Sequence, residues 1–165
     1  MTEITTELVK ELRDKTGVSV MQCKKALEEA GGDMEKATAI LLEKSAEIAG
    51  KKGDRTLGAG CIGSYVHSTG NVGTMVELLC ETDFVAKNEE FKALARDIAM
   101  HVSATNPKYL KADDAGAETE PESVLLTQPF IKNPDVTIIN LVQQATQKFG
   151  EKIEVSRFVR YSITS

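Results

Sequence analysis

Two histidines and three cysteines are the side chains of this sequence best suited to nucleophilic or metal chemistry. A thiol hydrolase would need Cys61 or Cys80 beside His67, and these residues fall on two neighbouring predicted strands, where such a contact is feasible. Cys80 ends an apolar run, however, and a cysteine in that setting is more often a small buried hydrophobic side chain. A thiol-dependent enzyme is therefore the least favoured of three function classes.

Metal and nucleotide sites are also weakly indicated. The cysteines are odd in number and far apart, with no Cys-x-x-Cys pair, which disfavours a zinc site or a disulfide framework and favours a reducing compartment. His67 with Glu77 or Glu81 lacks a closely spaced second ligand motif. Neither glycine-rich phosphate-binding motif occurs. We therefore predict no catalytic residue, no bound metal and no cofactor.

The composition narrows the choice of partners. Acidic residues outnumber basic ones by 25 to 20, a net charge of −5 that argues against a protein built to neutralise nucleic-acid phosphates. Aromatic residues make up only 5%, too few for platforms that stack single-stranded bases. No apolar run is long enough to span a membrane, and the first residues lack the pattern of a secretory signal. We expect a cytoplasmic protein that binds neither nucleic acid nor membrane.

Two segments of different periodicity must position any functional residue. Residues 1–50 show apolar residues at helical spacing and predict three short helices of about eleven residues each. The second helix should run from Ser19 to Ala30, and Asp33 should cap the third. Residues 51–60 are rich in glycine and basic residues and indicate a linker.

Residues 61–165 predict a small antiparallel sheet covered by helices, so the chain as a whole belongs to the α+β class. Five acidic residues fall in the stretch 111–122, which indicates a solvated loop or a disordered insert. The last strand should place alternate side chains on one face: Ile153, Val155, Arg157, Val159 and Tyr161. The predicted core elements are strands 61–67 and 72–81, helices 88–103 and 137–149, and strand 152–163.

The junction after the second strand, 81–88, is unusual because an acidic and an aromatic residue stand side by side. In a purely structural interpretation Thr82 or Asp83 caps a helix, while Phe84 packs inward. In a functional interpretation the turn projects Asp83 and Phe84 together, and a rigidly held phenylalanine fills a pocket of a partner protein. The pattern alone slightly favours the first interpretation.

Several motifs, in order along the chain, resemble the bacterial elongation factor Ts family. The resemblance covers both ends and the middle, and we regard the spaced combination as highly specific. The matching segments are Leu8–Arg13, Thr16-Gly17, Met21–Leu27, Gly32-Asp33, Glu35–Ala37, Val76–Leu78, Cys80–Asn88, Phe149–Glu151 and Arg157–Arg160.

The resemblance implies a guanine-nucleotide exchange factor for elongation factor Tu, with no catalytic chemistry of its own. It implies that Asp83 and Phe84 wedge between helices of the GTPase, which would meet the factor in GDP-bound and nucleotide-free forms. It also implies that the segment Thr82 to Val85 helps to dislodge the bound magnesium. Some short members of the family form homodimers, so the resemblance leaves open whether this protein does so too.

The same resemblance implies that residues 1–50 form a ubiquitin-associated-like module that docks on the nucleotide-binding domain of the GTPase. Arg13, Val20 and Met21 are then the contact positions. Family members usually have methionine and aspartate where this chain has Val20 and Gln22, so contacts at this surface are expected to differ. The alternative function is a non-catalytic binding module, in which the bundle recognises another protein and the core is a scaffold.

Overall fold

The computed structural model describes residues 2–116 and 120–164 of the chain. Two compact units make up the fold: Met1–Asp54 with Gln143–Gly150, here called the bundle unit, and Arg55–Val142 with Glu151–Ser165, the sheet unit. The predicted domains were continuous in sequence, whereas the bundle unit takes in Gln143–Gly150 from near the C-terminus. The α+β class is confirmed, with an N-terminal bundle of three helices and a small antiparallel sheet.

The helices and strands that were predicted lie close to their expected positions, and the structure adds two short helices and a two-stranded sheet that were not predicted. The helices are α1 Thr6–Thr16, α2 Val20–Glu29, α3 Met34–Lys51, α4 Asp83–Ala86, α5 Glu89–Thr105, α6 Ala112–Ala115 and α7 Ile138–Phe149. The strands are β1 Ala59–Val66, β2 Val72–Cys80, β3 Pro129–Phe130, β4 Asn133–Thr137 and β5 Glu154–Ser162.

Side-chain caps set the starts of the three N-terminal helices. Thr5, Ser19 and Asp33 each accept a hydrogen bond from a backbone N–H of the first turn of α1, α2 and α3. The predicted bounds of α2 are confirmed. In contrast, α3 runs for 18 residues and includes the first residue of the predicted linker, Lys51. Its sequence contains no proline, and its single glycine comes only one residue before the end, so nothing stops the helix earlier.

The core of the bundle unit is small and apolar. Leu12, Leu27 and Leu41 are fully buried, one from each N-terminal helix, and Cys23 is buried with them. Within the same unit, the Gln147 side chain accepts a hydrogen bond from the Ser45 hydroxyl at 2.6 Å. Burial of apolar side chains on all three helices therefore holds the bundle together, and a polar contact ties in the segment of α7.

The three-stranded sheet has the order β1-β2-β5, and all its neighbouring strands are antiparallel. One face of β2 points into the interior, where Val76 and Leu78 are fully buried. Helix α5 packs on this face closely enough that a Cβ at Gly63 would lie 2.4 Å from the backbone of Ala95. Glycine is therefore required at that position of β1, because any side chain would push helix and sheet apart.

The prediction for the last strand is wrong in one respect. Leu78 pairs with Val155 but Glu77 pairs with Arg157, so Ser156 is an extra residue at a β-bulge. Ile153 and Val155 are both buried, whereas Arg157 and Tyr161 beyond the bulge are exposed, so these residues do not share one face. Alternation of period two cannot reveal an inserted residue, and one insertion moves every later side chain to the opposite face.

The acidic stretch 111–122 falls partly on residues 117–119, which lie outside the described part of the chain. Its described acidic residues are exposed, as predicted, but residues 112–115 form the short helix α6 and residues 121–123 a single 3-10 turn. The chain then returns to the interior at Val124 and Leu125. No helix of the described residues is long and apolar enough to cross a membrane.

Candidate functional site

The most unusual surface feature of the sheet unit is the turn between β2 and α5, here called the elbow (Thr82–Val85). The single turn α4 sends neighbouring side chains in opposite directions. Phe84 is 86% exposed, whereas Val85 is only 4% exposed and packs into the interior. Thr82 and Asp83 are also exposed. The inward packing of Phe84 that the structural interpretation favoured is therefore wrong, and Val85 is the residue that anchors the elbow.

Backbone hydrogen bonds hold both ends of the elbow. The N–H of Ala86 donates to the Thr82 carbonyl at 3.2 Å, and the N–H of Lys87 donates to the Asp83 carbonyl at 3.0 Å. The Asn88 side chain caps α5 by accepting hydrogen bonds from the backbone N–H groups of Glu90 and Phe91, at 2.8 and 3.4 Å. The aromatic side chain of the elbow is thus exposed on a backbone that is fixed before and after it.

Thr82 does not cap α4 with its side chain, contrary to the structural interpretation. Its hydroxyl instead donates to Oε2 of Glu151 at 2.6 Å, and its backbone N–H donates to Oε1 of the same carboxylate at 3.0 Å. The backbone N–H of Glu81 also donates to Oε1, at 3.1 Å. One carboxylate, about seventy residues away in sequence, therefore holds the start of the elbow.

The carboxylate of Glu81, just before the elbow, binds back to the segment that contains Glu151. Oε2 of Glu81 accepts a hydrogen bond from the backbone N–H of Lys152 at 2.7 Å. Its Oε1 lies 3.3 Å from the guanidinium of Arg55. The sequence-based predictions missed Glu81 and Glu151 as site residues, although both fall within motifs that carry the family resemblance.

The bundle unit presents the second set of predicted site residues. Val20 is 51% exposed and Met21 69% exposed, at the start of α2. Arg13 is exposed on α1 and lines a surface hollow together with Ser19 and Gln22. These predicted contact residues thus lie near one another in the bundle unit, while the elbow belongs to the sheet unit.

The contact between Cys80 and His67 that a thiol-dependent enzyme could use, the least favoured function class, does not form. Cys80 pairs with Ala59 at one end of the β-hairpin, whereas His67 lies beside the turn at the other end. Eight residues of extended chain separate Ala59 from His67, a distance of about 26 Å. Burial, with the charge of Glu151 as the next cause, raises the pKa of the Cys80 thiol to about 11. Its Sγ donates to the Thr82 carbonyl at 3.2 Å, so this cysteine supports the elbow as a neutral group.

His101 is fully buried and has partners for both ring nitrogens. Its Nδ1 lies 3.2 Å from the backbone nitrogen of Ile131 and accepts that N–H, so Nε2 carries the proton and donates to Oε1 of Gln128 at 2.8 Å. Burial lowers the pKa of the imidazole below its ordinary value. The ring is a structural connection between α5 and the segment that follows the acidic stretch. The described residues contain no cluster of metal-ligating side chains.

Comparisons with known proteins agree with the resemblance noted from the motifs. Residues 2–120 match the family model described as Elongation factor TS. The chain belongs to the elongation factor Ts family. The matched region contains the whole elbow and the predicted contact residues of the bundle, and the family is one of translation elongation factors.

Curated relatives extend the elongation factor Ts assignment over nearly the whole chain. The elongation factor Ts of Desulforamulus reducens is 41% identical over 196 aligned positions, which cover 99% of this chain and 90% of the relative. That of Carboxydothermus hydrogenoformans is 42% identical, covering 97% and 89%. That of Thermodesulfovibrio yellowstonii is 43% identical, covering 97% and 96%. The first alignment is longer than this chain of 165 residues, so that relative has residues that this chain lacks.

Proposed function

We propose that this protein is a guanine-nucleotide exchange factor for elongation factor Tu and that it is not an enzyme. Membership of the elongation factor Ts family supports the general role. The observation that carries the mechanism is the 86% exposure of Phe84 on a turn whose backbone is held at both ends. An exposed aromatic side chain on a fixed backbone is suited to fill a pocket of a partner protein.

The elbow acts as a wedge. Asp83 and Phe84 insert between helices of the GTPase, and Thr82 to Val85 form the segment whose insertion displaces the bound magnesium, with Val85 as its buried anchor. Magnesium demands near-ideal octahedral coordination and bridges the nucleotide phosphates to the protein, so a small displacement of its ligands is costly. Loss of the ion weakens the binding of GDP.

Thermodynamic linkage gives the wedge its effect. A factor that binds best to the distorted, nucleotide-free GTPase weakens nucleotide binding by the same factor by which the nucleotide weakens binding of the factor. A coupling free energy of ~3 kcal/mol corresponds to roughly a 150-fold change in affinity. The exposed phenyl ring contributes contacts that exist only when the GTPase is distorted, and such contacts are the source of this coupling.

The bundle supplies contacts that are present in every state of the complex. Arg13, Val20 and Met21 dock on the nucleotide-binding domain and so raise the local concentration of the elbow. Valine at position 20 buries less apolar surface than the methionine usual in the family, so Met21 supplies most of the apolar contact there. The protein acts in the cytoplasm without a cofactor, and a homodimer is compatible with this mechanism.

The test is the release of fluorescent GDP from elongation factor Tu after mixing with a stoichiometric amount of this protein. The proposal expects faster release than the GTPase shows alone. An unchanged rate would overturn it. Tight binding to the GTPase without faster release would favour the alternative, a binding module that uses the bundle as its recognition surface.

A further inference from the structure

Two carboxylates connect the elbow to the turn that precedes β5. Glu151 accepts both backbone N–H groups at the start of the elbow, from Glu81 and Thr82, together with the Thr82 hydroxyl. Glu81 accepts the backbone N–H of Lys152 in return. The two chain segments therefore hold each other through charged acceptors, in the positions where a regular sheet would use backbone carbonyls.

These contacts occur where the sheet itself offers no support. The pairing of β2 with β5 ends at Leu79 and Glu154, so the residues that lead into the elbow have no ladder partner on β5. Thr82 has its hydroxyl committed to Glu151 and makes no side-chain cap for α4. Glu151 is thus the side chain that holds the backbone N–H and the hydroxyl of Thr82 at the start of α4.

We propose that Glu151 is a positioning residue for nucleotide exchange, which holds the elbow so that Phe84 is presented in its inserting orientation before the partner arrives. This inference rests on the proposed exchange function. The carboxylate does not contact the GTPase or the nucleotide. It lowers the conformational entropy that the elbow loses on insertion, because hydrogen bonds to a charged acceptor restrict the backbone that carries the ring.

The choice of a carboxylate at this position follows from the number of donors. Three donors converge on its two oxygens, and an ionised carboxylate has acceptor sites for all of them. A glutamine would keep one carbonyl oxygen for the two backbone N–H groups, and its amide group would face the Thr82 hydroxyl, which can also accept. Glu151→Gln therefore removes only part of the hydrogen bonding at this position, whereas Glu151→Ala removes all of it.

The first experiment is a double-mutant cycle on the rate of GDP release from elongation factor Tu, with Glu151→Ala, Phe84→Ala and the double variant. The proposal expects release about tenfold slower for Glu151→Ala. It also expects no further loss from Glu151→Ala in the Phe84→Ala background, because a ring that is absent cannot be positioned. Independent, multiplying effects of the two changes would overturn the proposal.

Glu154→Ala is the matched control, because it removes the same charge from an exposed position on β5 only three residues away. The proposal expects it to exchange like the native protein. Equal rates for Glu151→Ala and Glu154→Ala would contradict a positioning role. If Glu151→Ala fails to fold, Glu151→Gln is used in the same cycle, with a smaller expected loss that must also disappear without Phe84.

The second experiment needs no partner, and it separates failure of this inference from failure of the exchange function. Amide hydrogen exchange is measured at Glu81 and Thr82 in the free protein. Their N–H groups should be protected in the native chain and in Glu154→Ala, and should exchange at least about tenfold faster in Glu151→Ala. Unchanged protection would overturn the positioning role even if the native protein proves to be an active exchange factor.

Discussion

The elbow and the proposed docking surface of the bundle both expose apolar side chains, but they are built differently. The elbow has one prominent ring, Phe84, on a short turn held by hydrogen bonds from distant segments. The bundle surface has Val20 and Met21 on the first turn of a regular helix whose cap, Ser19, is local. The elbow is suited to insertion into a specific pocket. The bundle surface is suited to a contact that tolerates substitution of its side chains.

This difference predicts that substitutions in the two regions act on different quantities. A change in the elbow should reduce the maximal rate of nucleotide release, because in the proposed mechanism the elbow acts on the distorted state of the GTPase. A change in the bundle should raise the concentration needed for half-maximal release, because the contacts proposed for the bundle are the same in all states of the complex.

The largest effect is expected for Phe84→Ala. Because an exposed side chain adds little to folding, the free energy of unfolding should change by less than about 0.5 kcal/mol. The maximal rate of GDP release should fall by about 100-fold, as expected for the loss of an aromatic anchor. Release kinetics and urea denaturation provide the two measurements. Phe84→Leu, which keeps part of the apolar surface, is the matched variant and should lose less activity. A clear loss of stability in Phe84→Ala would mean that the ring supports this molecule's own fold.

A smaller effect is expected for Met21→Ala in the bundle. The concentration of factor at half-maximal release should rise about fivefold, in the range of an ordinary interface contact, while the maximal rate stays the same. A concentration series of the release assay gives both quantities. The comparison between the two regions fails if Met21→Ala lowers the maximal rate as Phe84→Ala does.

The smallest effect is expected from acidification. It should lower the free energy of unfolding through His101 on α5 and should leave both proposed contact regions unchanged. Because burial lowers the pKa of His101 in the folded protein, the unfolded state takes up its proton at a higher pH. The contribution of His101 to stability is therefore complete above the unfolded pKa of about 6.5 and is lost as the pH falls below it. Urea denaturation at pH 7.5 and pH 5 measures the change.

His101→Gln should be less stable overall and should show less dependence on pH in this range. His67→Asn is the control, because His67 is exposed and contacts Tyr65 near the hairpin turn. An equal pH dependence in the native protein and in His101→Gln would contradict this assignment.

Local signals allowed much of the fold to be predicted from the sequence. The caps Ser19 and Asp33 defined helix starts, since each acts within its own turn. The bulge at Ser156 could not be predicted, because it depends on how β5 pairs with a strand far away in sequence.

The candidate site shows the same limit. The pairing of an acidic with an aromatic residue drew attention to Asp83 and Phe84, but the pattern gave no reason to prefer exposure over burial. The role of Glu151 depends on a contact across about seventy residues, which no local spacing encodes. Only the family resemblance pointed to the segment that contains it.

The most direct test of the central claim, that the elbow releases nucleotide by displacing magnesium, compares GDP release with and without a magnesium chelator. The rate is measured for elongation factor Tu alone and with this protein in both conditions. The account predicts that the acceleration by the protein is much smaller once magnesium has been removed, because the chelator has already displaced the ion that the elbow would displace. The same acceleration with and without magnesium would contradict it.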